Sequence, residues 1–198
     1  MKKRMTAALI AGILIAVGLL PAYAANKKAA FSTDRKLIRR IYEGGLLEVQ
    51  LGWLAQKNTL TPEVKQFGAM MIRDYGRADR ELMALARKKD IEVPSELNIP
   101  DKTTKNKLSV LTGTVFDKEY MTEMITLHTR YVSDFSAAVH KANAPELKKW
   151  MRTVLPMVQR HLRAAKILAG KLGVDIKAAE RTGKKESLQD QKEIKYLP

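Results

Sequence analysis

The chain has 198 residues, of which 36 are lysine or arginine and 21 are aspartate or glutamate, so its formal net charge is +15 at pH 7. It contains no cysteine, which excludes disulfides, thiolate metal sites, a cysteine nucleophile and a lipidated N-terminal cysteine. The length is enough for one domain with a single hydrophobic core, whose stability must come from packing.

The first 24 residues have the pattern of a secretory signal peptide. Three basic residues at positions 2–4 precede an apolar run over residues 6–20, and the small-residue site Ala22-Tyr23-Ala24 follows. The run is shorter than the roughly 20 residues that a spanning helix requires. We therefore expect a cleaved signal, Ala25 as the first mature residue, and a periplasmic or otherwise exported protein without a transmembrane span.

Loss of the signal changes the balance of charge only slightly. It removes three of the 36 basic residues and leaves 33 against 21 acidic ones, a mature charge of roughly +12. Outside the cytoplasm, this charge favours anionic envelope components, such as lipid head groups or acidic polymers, over nucleic acid. No stretch interleaves aromatic and basic residues as a base-stacking platform does. A solvated basic surface without a dedicated partner is the alternative.

Apolar residues recur every three or four positions in four long segments, which predicts four amphipathic helices. Thr61 and Pro62 have the residue types preferred at the N-cap and the first position of the second helix. Thr114 and Asp117 have the spacing of a capping box at the start of the third helix. Gly173 is a suitable residue to end the fourth. The helices are expected over residues 33–57, 61–90, 114–142 and 145–173.

The lengths of the connections predict how the helices are arranged. Helices one and two, and likewise three and four, are joined by a few residues, so each pair should form an antiparallel hairpin. The link over residues 91–113, with a short helix expected around 105–111, is long enough to cross the length of a bundle. These features predict an all-α, ferritin-like four-helix bundle over residues 31–173. The polar residues 174–198 are expected to form a charged, loose tail or a frayed helix.

Each predicted helix carries one polar residue near the middle of its otherwise apolar face. They are Glu48, Tyr75, His128 and His161, and Asp74 lies beside Tyr75. Because these faces should meet in the interior of the bundle, we expect the four side chains to form one buried polar layer.

Glu48 is the residue of this layer that most needs a partner, since a buried carboxylate is costly unless it is paired, hydrogen-bonded or neutralised by a cation. Three partners are open: a metal ion held with His128 and His161, a protonated histidine, or the hydroxyl group of Tyr75. The same face of the helix also carries small residues that should leave room around the carboxylate: Gly45, Gly52 and Ala55.

Four stretches of the sequence also carry a family resemblance. In chain order they are "EGGLLEVQLGWLA", "VKQFGAMMIRDYGRADRELMALARKKDI", "FDKEYMTEMITLH" and "LPMVQRHLRAAKIL". They resemble the successive motifs of the bacterial secreted family called domain of unknown function 4142, and the resemblance covers residues 31–173. It implies a ferritin-like bundle in the bacterial envelope, with no established biochemical activity.

The resemblance also implies which residues belong to a site. The family has a glutamate where Glu48 stands and histidines where His128 and His161 stand, but it usually has Asp-His where this chain has Asp74-Tyr75. A tyrosine binds ferric iron well and makes an ordinary divalent site weaker. The candidate metal site is therefore Glu48, His128 and His161, with Tyr75 or Asp74, for a divalent or iron ion.

Two functional hypotheses follow from the sequence. The first, which the sequence favours, is a non-enzymatic exported protein whose basic exterior meets anionic envelope components. The second is a metal-binding or metal-dependent redox protein that uses the polar layer. No catalytic or cofactor-binding residues are predicted, because there is one well-placed buried carboxylate, no serine in an elbow motif, and no phosphate-loop context around the glycine pairs.

Overall fold

A computed structural model describes the backbone of residues 6–196 and the side chains of residues 25–189. Within these residues the chain is all-helical, as predicted. Its helices are α1 (Thr6–Asn58), α2 (Pro62–Arg87), α3 (Ile99–Ser109), α4 (Gly113–Lys141), α5 (Pro145–Lys171) and α6 (Ile176–Tyr196). Helices α1, α2, α4 and α5 correspond to the four predicted amphipathic helices, and their apolar faces form one core.

Three groups of hydrogen bonds establish the topology. Arg39 of α1 donates to the carbonyl oxygen of Glu92, just after α2 (2.9 Å). Asn58, the last residue of α1, donates to the carbonyl oxygen of Leu111, just before α4 (2.9 Å). The Asp34 carboxylate accepts from the backbone N–H groups that precede α5. The segment between α2 and α4 therefore runs from one end of the bundle to the other, which confirms the predicted two hairpins and crossover.

The loop between α1 and α2 is fixed by an acid from another helix. Thr61 occupies the predicted N-cap position of α2, but its side chain makes no capping hydrogen bond. Its hydroxyl instead donates to Asp117 (2.5 Å), which also accepts from Thr59. Asp117 is buried, and α4 begins at Gly113 with Thr112 as N-cap. The capping box predicted for Thr114 and Asp117 was therefore wrong, because Asp117 turns inward to hold the neighbouring loop.

The short helix α3 in the crossover lies earlier in the sequence than predicted. Asn98 caps it, since its side-chain oxygen accepts a hydrogen bond from the N–H group of Asp101 (2.9 Å), and Pro100 lies in the first turn. Asparagine before a proline-containing first turn is a strong helix start. The prediction of a short helix around residues 105–111 was therefore displaced toward the C-terminus by about six residues at its start.

Residues 176–196 differ most from the prediction, since they form the long helix α6, which packs along α4. The described face of α6 repeats small residues at every fourth position: Ala179, Gly183 and Ser187 are all buried. A side chain on Gly183 would overlap the carbonyl oxygen of Thr126, so the two helices approach closely. The Ser187 hydroxyl donates to Asp134 (2.7 Å). The contact depends on small residues, which a hydrophobicity pattern does not detect.

The predicted signal peptide lies mostly outside what the structure describes. Residues 1–5 are not described, and residues 6–24 are described only as backbone that belongs to α1. Signal cleavage and export therefore remain predictions. Among the described residues, no helix combines the length and the apolar character that crossing a membrane requires.

Candidate functional site

The four polar residues of the predicted layer lie together in the centre of the bundle. Glu48 comes from α1, Tyr75 from α2, His128 from α4 and His161 from α5, and none is more than 4% exposed. The ring centroids of the two histidines are 5.6 Å apart, and Tyr75 lies 5.9 Å from His128 and 5.6 Å from His161. Oε1 of Glu48 is 3.6 Å from Nδ1 of His128. The structure thus brings the polar residues of all four helices into one buried cluster.

His128 has a defined tautomer because its two ring nitrogens contact groups of different kinds. Nδ1 lies 2.8 Å from the carbonyl oxygen of Met124, which can only accept, so Nδ1 carries the proton and donates it. Nε2 then accepts a hydrogen bond from the hydroxyl group of Tyr75 (3.1 Å). Burial, and next the neighbouring His161, lower the pKa of His128 to about 3. His128 is therefore neutral, with the lone pair of Nε2 facing Tyr75.

His161 is oriented by an acid at the edge of the bundle. Its Nε2 lies 3.0 Å from Oδ2 of Asp74, which accepts the hydrogen bond, and Arg73 holds the other oxygen of Asp74 (2.9 Å). Burial lowers the pKa of His161 below its usual value, against the effect of Asp74. The second ring nitrogen, Nδ1, is buried and has no hydrogen-bond partner among the described residues. A neutral His161 thus turns an unused lone pair toward the interior.

Glu48 makes neither of the two non-metal contacts that the sequence left open. Both of its oxygens are buried without a hydrogen-bond partner among the described residues. The Tyr75 hydroxyl donates to His128 instead, and His128 is neutral. Burial, and after it the nearby acids Glu123 and Asp101, raise the pKa of Glu48 well above its usual value, whereas Arg130 opposes this. Burial without a cation beside it therefore favours the protonated form of the Glu48 carboxyl.

Two further residues of the layer were not identified as site residues from the sequence. Tyr120 and Tyr131 of α4 have buried hydroxyl groups. That of Tyr120 has no hydrogen-bond partner in the described part of the chain, whereas Arg130 lies beside Tyr131. Burial first, and then the negative form of Glu48, raise the pKa of both phenols. Both lie on the same helical face as His128, and that spacing was the available signal. As members of an apolar stripe, both tyrosines were interpreted as core residues.

The small residues near Glu48 serve a different purpose from the one predicted. A Cβ atom on Gly52 would lie 2.7 Å from the carbonyl oxygen of Gly68 in α2, and one on Gly45 would overlap the carboxylate of Asp79. These glycines therefore let α1 and α2 pack closely. They do not leave space around the Glu48 carboxylate.

Metal-binding geometry in this cluster depends on the tyrosine. Among the residues the structure describes, no three histidine or acidic side chains lie together as a ready metal site. Two ligands that each bind an ion at ~2.0–2.1 Å lie ~2.9–3.4 Å apart. The separation of 3.1 Å between Nε2 of His128 and the Tyr75 oxygen falls in this range. His128 and Tyr75 are therefore spaced as two ligands of one ion would be, and Nδ1 of His161 is a buried nitrogen of the same cluster without a hydrogen-bond partner among the described residues.

The family of the chain follows from comparison with known protein families. The model of the family described as "Domain of unknown function (DUF4142)" matches residues 20–168. The chain belongs to the DUF4142 family. No curated protein and no solved structure matches it. The matched DUF4142 region contains α2 to α4, most of α1 and α5 and the whole polar layer, whereas α6 lies beyond it.

A cavity of about 470 Å³ lies beside the polar layer of this DUF4142 chain. It lies between residues 36–45 of α1 and residues 130–141 of α4, and residues of the crossover border it. Tyr75 and Tyr131 line the cavity and also belong to the polar layer. The cavity therefore reaches the layer from the side of these two tyrosines.

Proposed function

We propose that this chain is an exported, non-enzymatic protein that binds one transition-metal ion in its mid-bundle layer. The ligands are Nε2 of His128, Nδ1 of His161 and the oxygen of Tyr75. The observation that carries the proposal is the matched orientation of the two imidazoles. Each has one nitrogen bonded to a fixed acceptor, Met124 or Asp74, and the other nitrogen faces the interior. Such outer partners fix the tautomer and orientation of metal-binding histidines.

Glu48 supplies the negative charge that such an ion needs. Its carboxyl lies against His128 and has no other described partner. A cation in the layer stabilises the ionised form, so metal binding should release a proton from Glu48. Two imidazoles and a phenolate suit Cu²⁺ or Fe³⁺ better than Mg²⁺ or Ca²⁺, which prefer sites made of oxygen ligands.

The first experiment is elemental analysis of the protein purified from the envelope, followed by calorimetric titration of the chelator-treated protein with Cu²⁺ and Fe³⁺. We expect one ion per chain. His161→Ala should weaken its binding at least about 100-fold, because it removes one of two nitrogen ligands. The matched control is His140→Ala, since His140 is exposed and lies outside the layer. Equal affinity in both variants, or no saturable binding in the unmodified protein, contradicts the proposal.

The second candidate function is binding to anionic envelope surfaces, and one surface favours it. The outward face of α5 carries four exposed basic residues at helical spacing, which we call the α5 basic stripe: Lys149, Arg152, Arg160 and Arg163. A row of cations on one helix face attracts an anionic lipid or polymer surface, and salt weakens this attraction.

Vesicle binding tests this second candidate. We expect co-sedimentation with phosphatidylglycerol vesicles at low salt, none with phosphatidylcholine vesicles, and loss of binding near 1 M salt. Neutralising three arginines of the stripe (Arg152→Gln, Arg160→Gln and Arg163→Gln) should reduce binding at least about tenfold. The control neutralises three exposed basic residues of α6, namely Lys177, Lys184 and Lys185. Equal losses in the two triple variants would mean that only net charge matters, and the α5 basic stripe would then be rejected as a site.

A further inference from the structure

Aromatic side chains form part of the wall of the cavity between α1 and α4. Four aromatic residues line it: Tyr75, Tyr131, Phe135 and Trp150. The rings of Phe135 and Trp150 are in contact, with centroids 6.2 Å apart, and the indole N–H of Trp150 donates to Glu81 (3.1 Å). The volume of about 470 Å³ lies within the range of small-molecule pockets. An apolar or aromatic body of about ten heavy atoms fits such a space.

The charges around the cavity determine which polar group this body should carry. Three cations of the lining have partners: Arg40 pairs with Asp134 (3.3 Å), Arg130 pairs with Glu186 (3.3 Å), and Arg39 donates to a backbone carbonyl. The other ionisable lining groups are the cations Lys36 and Lys141 and the acids Glu43, Asp79 and Asp101. Arg39 keeps its positive charge, because a carbonyl oxygen does not neutralise it. The preference of the cavity for a cation therefore depends on Asp79 itself and not on the sum of the lining charges.

Asp79 is the lining residue whose carboxylate a bound ligand could pair with. Its carboxylate lies against Gly45, where any side chain would overlap it. It has neither a hydrogen bond nor an ion pair within residues 25–189. Burial raises the pKa of Asp79 to about 7, although the neighbouring Arg80 opposes this. An ammonium group beside it would stabilise the ionised carboxylate, and aromatic faces attract the same cation.

We propose that this cavity binds an organic amine, with the ammonium group at Asp79 and the apolar body against Phe135 and Trp150. The inference does not depend on a metal ion in the polar layer. It also accounts for the glycine pair of the "EGGLLE" motif. Gly45 makes room for Asp79, and a Cβ atom on Gly44 would lie 3.2 Å from the ring of Tyr131. Because neither glycine has a side chain, Asp79 and Tyr131 can both lie against α1 in the cavity wall.

The test uses Trp150 as its reporter. The other tryptophan, Trp53, is 60% exposed. In the Trp53→Phe variant, Trp150 is the one remaining tryptophan, and all tryptophan emission comes from it. In this background, with a chelator present at pH 8, we expect a saturable change in emission with 2-phenylethylamine. The neutral analogue 2-phenylethanol and the anionic analogue 3-phenylpropionate should bind at least about tenfold more weakly.

Two variants locate the site. Asp79→Asn should weaken the binding of 2-phenylethylamine at least about tenfold and leave that of 2-phenylethanol unchanged. Asp90→Asn is the matched control, since Asp90 is exposed at the end of α2 and its positive φ (52°) suits asparagine. Ala137→Leu, which fills part of the cavity, should weaken both ligands. Equal amine binding by wild type and Asp79→Asn, stronger binding of the anionic analogue, or no saturable change in emission overturns the proposal.

Discussion

Replacing Tyr75 with histidine is expected to tighten the binding of a divalent ion such as Zn²⁺ or Cu²⁺ at least about tenfold. The substitution exchanges a phenol, which must lose a proton of high pKa before it can bind an ion, for a neutral imidazole. Burial, and next the charge of Glu48, raise the pKa of Tyr75 well above its usual value. The new ring would lie beside His128 and His161, and it would restore the Asp-His pair that the family resemblance implies. Calorimetric titration of chelator-treated protein measures the change.

The matched control for this substitution is Tyr75→Phe. It keeps the ring and removes the hydroxyl that donates to Nε2 of His128. We expect it to bind divalent ions no better than wild type and to lose the visible phenolate-to-iron absorption that an Fe³⁺ complex of the wild type should show. Unchanged Zn²⁺ affinity in Tyr75→His would mean that the ion does not bind between these residues.

Replacing Glu48 with leucine is expected to raise the free energy of unfolding of the metal-free protein by about 1–4 kcal/mol at pH 8. Glu48 is fully buried and neither of its oxygens has a described hydrogen-bond partner. Its folded-state pKa is raised, so the folded protein holds the proton more tightly than the unfolded chain does. Stability from this group is therefore fully present below the usual pKa of 4.5 and declines as the pH rises above it.

Urea unfolding in the presence of a chelator tests this prediction at two pH values. The gain from Glu48→Leu should be larger at pH 8 than near pH 4.5. Glu43→Leu is the control, because Glu43 lies on the same helix and is only half-buried, and it should change stability by no more than about 0.5 kcal/mol. A Glu48→Leu variant that is less stable at pH 8 would show that the carboxylate has a stabilising partner in the folded protein.

Much of the fold could be predicted from periodicity and loop length. The apolar stripes placed α2, α4 and α5 within a few residues of their bounds, because burying one helix face requires that spacing. The polar face of α6 gave no such signal, since the contact with α4 relies on Gly183 and its small neighbours. Likewise, the sequence did not show that Asp117 accepts from Thr59 and Thr61 of another segment.

The site was predictable in its position and not in its contacts. Helical spacing alone directs Glu48, His128 and His161 to the interior, and the structure places them there. Which groups they contact depends on side-chain rotamers and helix rotation, and spacing does not determine either. Thus the Tyr75 hydroxyl bonds to His128 rather than to Glu48, and Asp79 meets Gly45 across a helix contact that no local pattern contains.

The division of the bundle into two hairpins separates the polar layer into halves that lie far apart along the chain. Glu48 and Tyr75 belong to the first hairpin, and His128 and His161 belong to the second. Each hairpin closes through local contacts, which form quickly, whereas docking of the two hairpins must close the long crossover loop and is slower. The hydrogen bond between Tyr75 and His128 joins the two hairpins, so it can form only when they dock.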